Sequence, residues 1–188
     1  MSLKNKKLLT FIVAGLIVFV FLVMFKDKIL KIIYPKTYKE VVQIYQEKYN
    51  IDENLIFALI KAESNFDNKA VSNRSAIGVM QLMEDTAKEV AIKNKIDIDY
   101  NNMKQELLNV DININIGTKY MTILLDKYES TEVALAAYNA GIGTVDNWIE
   151  KGVIKADGSD IENIPYKETN NYVRKILSNY KMYKELYK

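Results

Sequence analysis

The stretch Asn50-Ile-Asp-Glu-Asn-Leu-Ile-Phe-Ala-Leu-Ile-Lys-Ala-Glu-Ser64 decides the reading of this chain. Its apolar residues recur at the three- and four-residue spacing of an amphipathic helix. Asn50 is positioned to accept from the third amide of that helix and Glu53 to reach back, which predicts a capping box and fixes the register. At about 100° per residue, Leu55, Ile56, Ala58, Leu59, Ile60 and Ala62 form one broad face, while Glu53, Asn54, Lys61 and Ser64 lie on the other. Glu63 falls on the apolar face, seven residues after Ile56, four after Leu59 and three after Ile60, where a core leucine is expected. A carboxylate among apolar neighbours loses hydration, so its pKa should rise toward that of a general acid working near neutral pH. The competing reading, a helix-end carboxylate that reaches solvent or pairs with Arg74, stays open at this point.

Composition narrows the chemistry. The 188 residues include no His and no Cys, which removes imidazole-based triads, imidazole and thiolate metal ligands, cysteine nucleophiles and disulfides. Acid–base work near neutrality is left to a carboxyl, a Lys or a Tyr. No metal or organic cofactor is expected. The net charge of +2 is uneven: residues 1–35 hold six Lys and one Asp, leaving 20 basic against 23 acidic residues in the remainder. A slightly acidic domain lacks the basic footprint that tracks phosphate backbones, so nucleic acid is not an expected partner.

The basic excess flanks Leu8–Phe25, eighteen residues without a charge. At 1.5 Å per residue, a helix of this length nearly matches a hydrocarbon core of about 30 Å. Lys4, Lys6 and Lys7 precede the run, which predicts a cytoplasmic N-terminus and everything after Phe25 outside, although Lys26 and Lys28 weaken the asymmetry. The end of the run, Leu22-Val-Met-Phe-Lys26, offers no small-x-small cleavage site, which favours a retained anchor over a cleaved signal peptide. Helical spacing continues through Ile29, Leu30, Ile32 and Ile33 to about Tyr34, and Pro35 interrupts it. The predicted organisation is a basic tail, transmembrane anchor and stalk over 1–35, then one domain over 36–188.

From Thr37 onward strand-like alternation is scarce, which predicts an all-α domain. Helices are expected at about Tyr38–Lys48, Ile51–Ser64, Val79–Lys93, Val110–Tyr128, Thr131–Ala140, Thr144–Lys151 and Glu168–Tyr187. The longest connections are Asn68–Ile77, Lys95–Lys104 and Gly152–Tyr166, and loops on a helical scaffold are where sites are commonly built. The first of these can return the chain over Glu63.

Five ordered blocks carry a family resemblance. Ala62-Glu-Ser-Asn-Phe-Asp67 is followed by Ala70-Val-Ser72, then Gly78-Val-Met-Gln81 with Leu82-Met83 and Thr86-Ala87. Asn113-Ile114, Gly117 and Tyr120-Met121 come next, then Ala137-Tyr-Asn-Ala-Gly141, and last Ile164-Pro-Tyr166 with Glu168-Thr169 and Tyr172-Val173. In order and spacing, over about Tyr38–Tyr187, these resemble the soluble lytic murein transglycosylase (SLT) family, whose lysozyme-like fold is related to goose-type lysozyme. Val79, Glu84, Ser75 and Ile142 depart from the family's usual Leu, Pro, Gly and Pro, changes that bear on loop shape.

The resemblance implies a peptidoglycan glycan strand as substrate and Glu63 as the catalytic acid. Glycosidases commonly use two carboxyl groups, and only one buried carboxyl is evident here; Asp67 reads as a turn residue. The family's chemistry supplies the missing nucleophile from the substrate's own acetamido group. Glu63 then acts as base on the muramic acid C6 hydroxyl and a 1,6-anhydro end forms. By the same resemblance Ser64 orients the Glu63 carboxyl or meets a sugar acetamide, Gln81 bonds sugar, and Met80 or Met83 lines the groove, with core packing the favoured reading for both methionines. Tyr138 packs a sugar face with its hydroxyl on Glu63 or substrate, Asn139 bonds backbone or ligand, and Glu168 binds substrate. The rivals are a hydrolytic goose-type muramidase and a non-catalytic wall-binding module. Protein partners are not indicated.

Overall fold

The computed structural model describes residues 3–188; the side chains of Lys4 and Lys6, on which the expected charge asymmetry partly rests, lie outside the described residues. The chain divides into two compact units, Met1–Pro35 with Leu186–Lys188, and Lys36–Glu185. In the first, one helix, α1 (Leu3–Ile33), carries Thr10–Ile33 as a segment long and apolar enough to cross a membrane. Pro35 stops the helix as expected, because it has no amide hydrogen and disfavours helical backbone at the residue before it. In the same unit the Tyr187 hydroxyl donates to the Tyr34 carbonyl at 2.7 Å.

The second unit is all-helical: α2 (Lys39–Tyr49), α3 (Glu53–Glu63), α4 (Glu84–Lys93), α5 (Met103–Leu108), α6 (Val110–Tyr128), α7 (Thr131–Ala140), α8 (Ile142–Glu150), a 3-10 turn at Ile161–Asn163, and α9 (Lys167–Leu186). The cap of α3 differs from the expected one. Asn50 adopts the left-handed conformation that ends α2, and Asp52 caps α3 by accepting from the Asn54 amide at 2.8 Å. Glu53 is diverted from a capping box into a 2.6 Å ion pair with Lys36. The register survives: Ile56, Leu59 and Ile60 are fully buried, and Glu63 is the last helical residue.

α6 is the central helix, packed by α2, α4, α5 and α7. Its start is fixed by Asn109, whose side chain accepts from the amides of Asp111 and Ile112, and the start of α7 by the Ser130 hydroxyl, which accepts from Val133. Both helices have the predicted bounds.

The expected helix over Val79–Lys93 begins only at Glu84. Gly78 and Gln81 both hold positive φ, and Ile77 and Leu82 exchange two backbone hydrogen bonds of 2.9 and 3.0 Å around a tight turn. Val79, Met80 and Leu82 are buried in that turn, so their spacing reports core contact rather than helix. Asn113 of α6 locks it: its Oδ1 accepts from Met80 N at 2.8 Å, and its Nδ2 donates to Ile77 O at 2.9 Å and Leu107 O at 2.8 Å. Gly117, one turn on, leaves room for Met80; a Cβ there would lie 2.5 Å from Met80 Sδ. The short α5 starts at the end of the expected Lys95–Lys104 loop and runs on to Leu108, where the sequence predicts no helix.

Candidate active site

The turn at 77–82, the end of α3, the end of α7 and the start of α9 enclose a cleft of about 430 Å³. Glu63, Gln81, Met83, Tyr138, Asn139 and Glu168 line it together. Ser72, Asn73, Arg74 and Ala76, from the loop expected to fold over Glu63, complete the wall.

Glu63 is largely enclosed. Burial pushes its carboxyl up to about 7, against the opposing effects of a hydrogen bond from Tyr172 and the positive charge of Lys175. The Tyr172 hydroxyl donates to Glu63 Oε1 at 2.5 Å. Burial and the nearby Glu63 charge hold the Tyr172 phenol well above its ordinary value, so Tyr172 is a donor throughout the physiological range. Glu63 is therefore a carboxyl balanced between acid and base near neutrality. Arg74 does not neutralise it; the guanidinium pairs with Glu168 at 3.1 Å.

The other side chains differ in detail from their expected contacts. Ser64 is turned to the backbone, its hydroxyl donating to Val79 O at 2.9 Å and lying 3.3 Å from Ile60 O. It thus ties the end of α3 to the 77–82 turn, and it is absent from the cleft wall. The Gln81 amide nitrogen donates to Gly78 O and Ala70 O at 2.9 and 3.1 Å, so both amide hydrogens are held by the backbone. Tyr138 donates to Met80 O at 2.9 Å, not to Glu63, and its ring tilts against Tyr120 with centroids 5.2 Å apart. Asn139 Oδ1 accepts from the buried Thr169 hydroxyl at 2.7 Å, which leaves the amide nitrogen without a protein partner among the described residues. Met80 is fully buried and Met83 is 45% exposed at the cleft, so one methionine is core and the other is wall. Asp67 is an exposed turn residue, accepting from Lys69 N at 2.9 Å.

A family model described as Transglycosylase SLT domain matches residues 40–160. The chain belongs to the SLT-domain family. Among its relatives, the soluble lytic murein transglycosylase of Salmonella typhimurium is 33% identical over 147 residues, 77% of this chain and 22% of that protein. The membrane-bound lytic murein transglycosylase C of Edwardsiella ictaluri is 36% identical over 118 residues, 57% of this chain and 32% of that protein. The crystal structure of an inactive mutant of lytic transglycosylase Slt from Pseudomonas aeruginosa superposes with a TM-score of 0.74 at 31% identity, covering 84% of this chain and 26% of that one. The chain thus spans about a fifth to a third of the length of these proteins, and the matched part is the all-α SLT fold. Tyr172 belongs to the SLT blocks quoted from the sequence, but its contact with Glu63 depends on how α9 packs against α3, which no local pattern encodes.

Proposed function

We propose that this SLT domain is a peptidoglycan lytic transglycosylase, cleaving the β-1,4 bond between N-acetylmuramic acid and N-acetylglucosamine with Glu63 as acid and then as base. One arrangement carries the reading: the Glu63 carboxyl is enclosed at the cleft wall with the Tyr172 hydroxyl donating to it, and burial pushes its pKa up to about 7. Such a group is protonated often enough to give its proton and ionised easily enough to take one back.

In the first step Glu63 protonates the glycosidic oxygen while the muramic acetamido oxygen bonds to C1 and the C1–O bond breaks. The carboxylate so formed accepts the proton of the C6 hydroxyl. O6 then bonds to C1, the acetamido oxygen leaves, and the 1,6-anhydro end is released with no water consumed. A two-carboxyl mechanism is disfavoured by the neighbours. Glu168 is exposed and ion-paired with Arg74, and Asp67 is engaged in its own turn. The Gln81 carbonyl, the Asn139 amide nitrogen and the face of Met83 are the contacts offered to the sugars.

The apolar stretch of α1, together with the membrane-bound relative, supports membrane association. In this reading α1 crosses once, with the N-terminus cytoplasmic and the domain facing the wall. The test is turnover of purified sacculi by the full chain in detergent. Glu63→Gln should lower the release of soluble muropeptides by about 10²–10⁴-fold, the range of a lost general acid; release at the parent rate would reject the site.

A further inference from the structure

One ion pair stands in the cleft wall, and the surroundings of its cation indicate a ligand. Arg74 sits in a tight turn in which Ser75 N donates to Ser72 O at 2.9 Å and Ser72 N to Ala76 O at 2.9 Å. The Ser72 hydroxyl accepts from Arg74 N and Ala76 N at 3.3 and 3.0 Å. The backbone beneath the guanidinium is thereby fixed, while the side chain itself is 77% exposed and its partner Glu168 67% exposed. An ion pair this open to water contributes little to stability, so holding the fold is a poor account of it. Arg74 is the one cation among the described residues lining the cleft, and a single nitrogen, Nη2, is used on Glu168. The remaining donors of the planar fork match a carboxylate.

We propose that Arg74 is a specificity-determining residue that binds a carboxylate carried by the muramic acid residue of the incoming strand, with Glu168 holding the guanidinium in orientation. The inference rests on the peptidoglycan reading above. A muramic residue has two sources of that charge: its own lactyl carboxylate where no peptide is attached, and the carboxylates of the stem peptide where one is. A chitin oligomer has the same backbone sugars and acetamido groups without either.

The experiment measures binding to the full chain in detergent with the Glu63→Gln change, so that strands are not cut, with and without Arg74→Ala or Arg74→Lys. The three ligands are a chitin oligomer, peptide-free glycan strands and peptide-bearing glycan strands. Arg74→Ala should weaken carboxylate-bearing strands about tenfold or more and leave the chitin oligomer unchanged, with Arg74→Lys falling between. A loss confined to peptide-free strands assigns the lactyl group; a loss confined to peptide-bearing strands assigns the stem. An equal loss on the chitin oligomer, or no loss on any ligand, overturns the proposal. If the Glu63→Gln parent binds neither kind of muramic strand, the peptidoglycan reading itself fails; if it binds them and Arg74→Ala binds as well, only the role of Arg74 fails.

Discussion

The Tyr172 hydroxyl of α9 donates a hydrogen bond to Oε1 of Glu63, the last residue of α3, at 2.5 Å. Burial raises the Glu63 pKa and this bond opposes it, because a donor to a carboxylate favours the ionised form. Tyr172→Phe removes the opposing contribution. Its Glu63 should titrate above about 7, and the alkaline limb of kcat/KM, which reports the acid of the free enzyme, should move to higher pH. A limb that stays in place or moves down would contradict the assignment.

The same balance sets a stability difference. The Glu63 carboxyl binds its proton up to about 7 in the folded chain against an ordinary value of 4.5. Between those values the folded state holds more protons than the unfolded one, so folding stability falls as pH rises from 4.5 through 7 and then levels. Glu63→Gln lacks this dependence. Its stability relative to the parent should improve between pH 4 and pH 8 by up to about 3 kcal/mol. Trp148, the single and buried tryptophan, reports denaturant unfolding by fluorescence; a difference independent of pH would exclude a raised Glu63 pKa.

Asn113→Ala strips partners from Met80 N and Leu107 O, while Ile77 O keeps only its bond from Leu82 N. Buried unpaired groups cost roughly 1–3 kcal/mol each, so a loss of several kcal/mol is expected on the same Trp148 readout. Because the turn at 77–82 carries Gln81 into the cleft, activity should fall even under conditions where the variant remains folded. A loss under about 1 kcal/mol would show that the turn is held by other contacts.

Gly117→Ala places a methyl against Met80, 2.5 Å from its Sδ and 2.9 Å from its Cβ. The flexible sulfur can move but the Cβ cannot without shifting the turn, so overpacking should cost about 1–3 kcal/mol. Gly78→Ala should cost more. It meets Asn113 Nδ2 at 2.3 Å and the Leu107 carbonyl at 2.4 Å, and its φ of +78° is one an L side chain rarely adopts. Denaturation midpoints of the two variants test the order.

Legibility in the sequence followed the reach of the interactions involved. The bounds of α6 and α7 could be read because Asn109 and Ser130 are local caps, and Glu63 because helical register alone puts it among apolar residues. Asn50 misled because the same residue type that starts a helix also tolerates the left-handed end of the preceding one. Val79–Gln81 misled because apolar spacing of three and four serves a buried turn as well as a helix. Asn113 and Gly117 were visible as motif residues, but their work on Met80 and the 77–82 turn is tertiary. The hydrogen bonds of Ser64, Tyr138 and Tyr172 likewise depend on which backbone carbonyl or carboxyl the fold brings near.

If Glu63 acts twice in one turnover, the cut ends carry no added water, and their mass shows it. Sacculi digested with the full chain in detergent should yield muropeptides with 1,6-anhydro muramic ends, about 18 Da lighter than reducing ends because no water is added, and Glu63→Gln should abolish them. Reducing ends alone would mean that water attacks and that Glu63 works as the acid of a hydrolase.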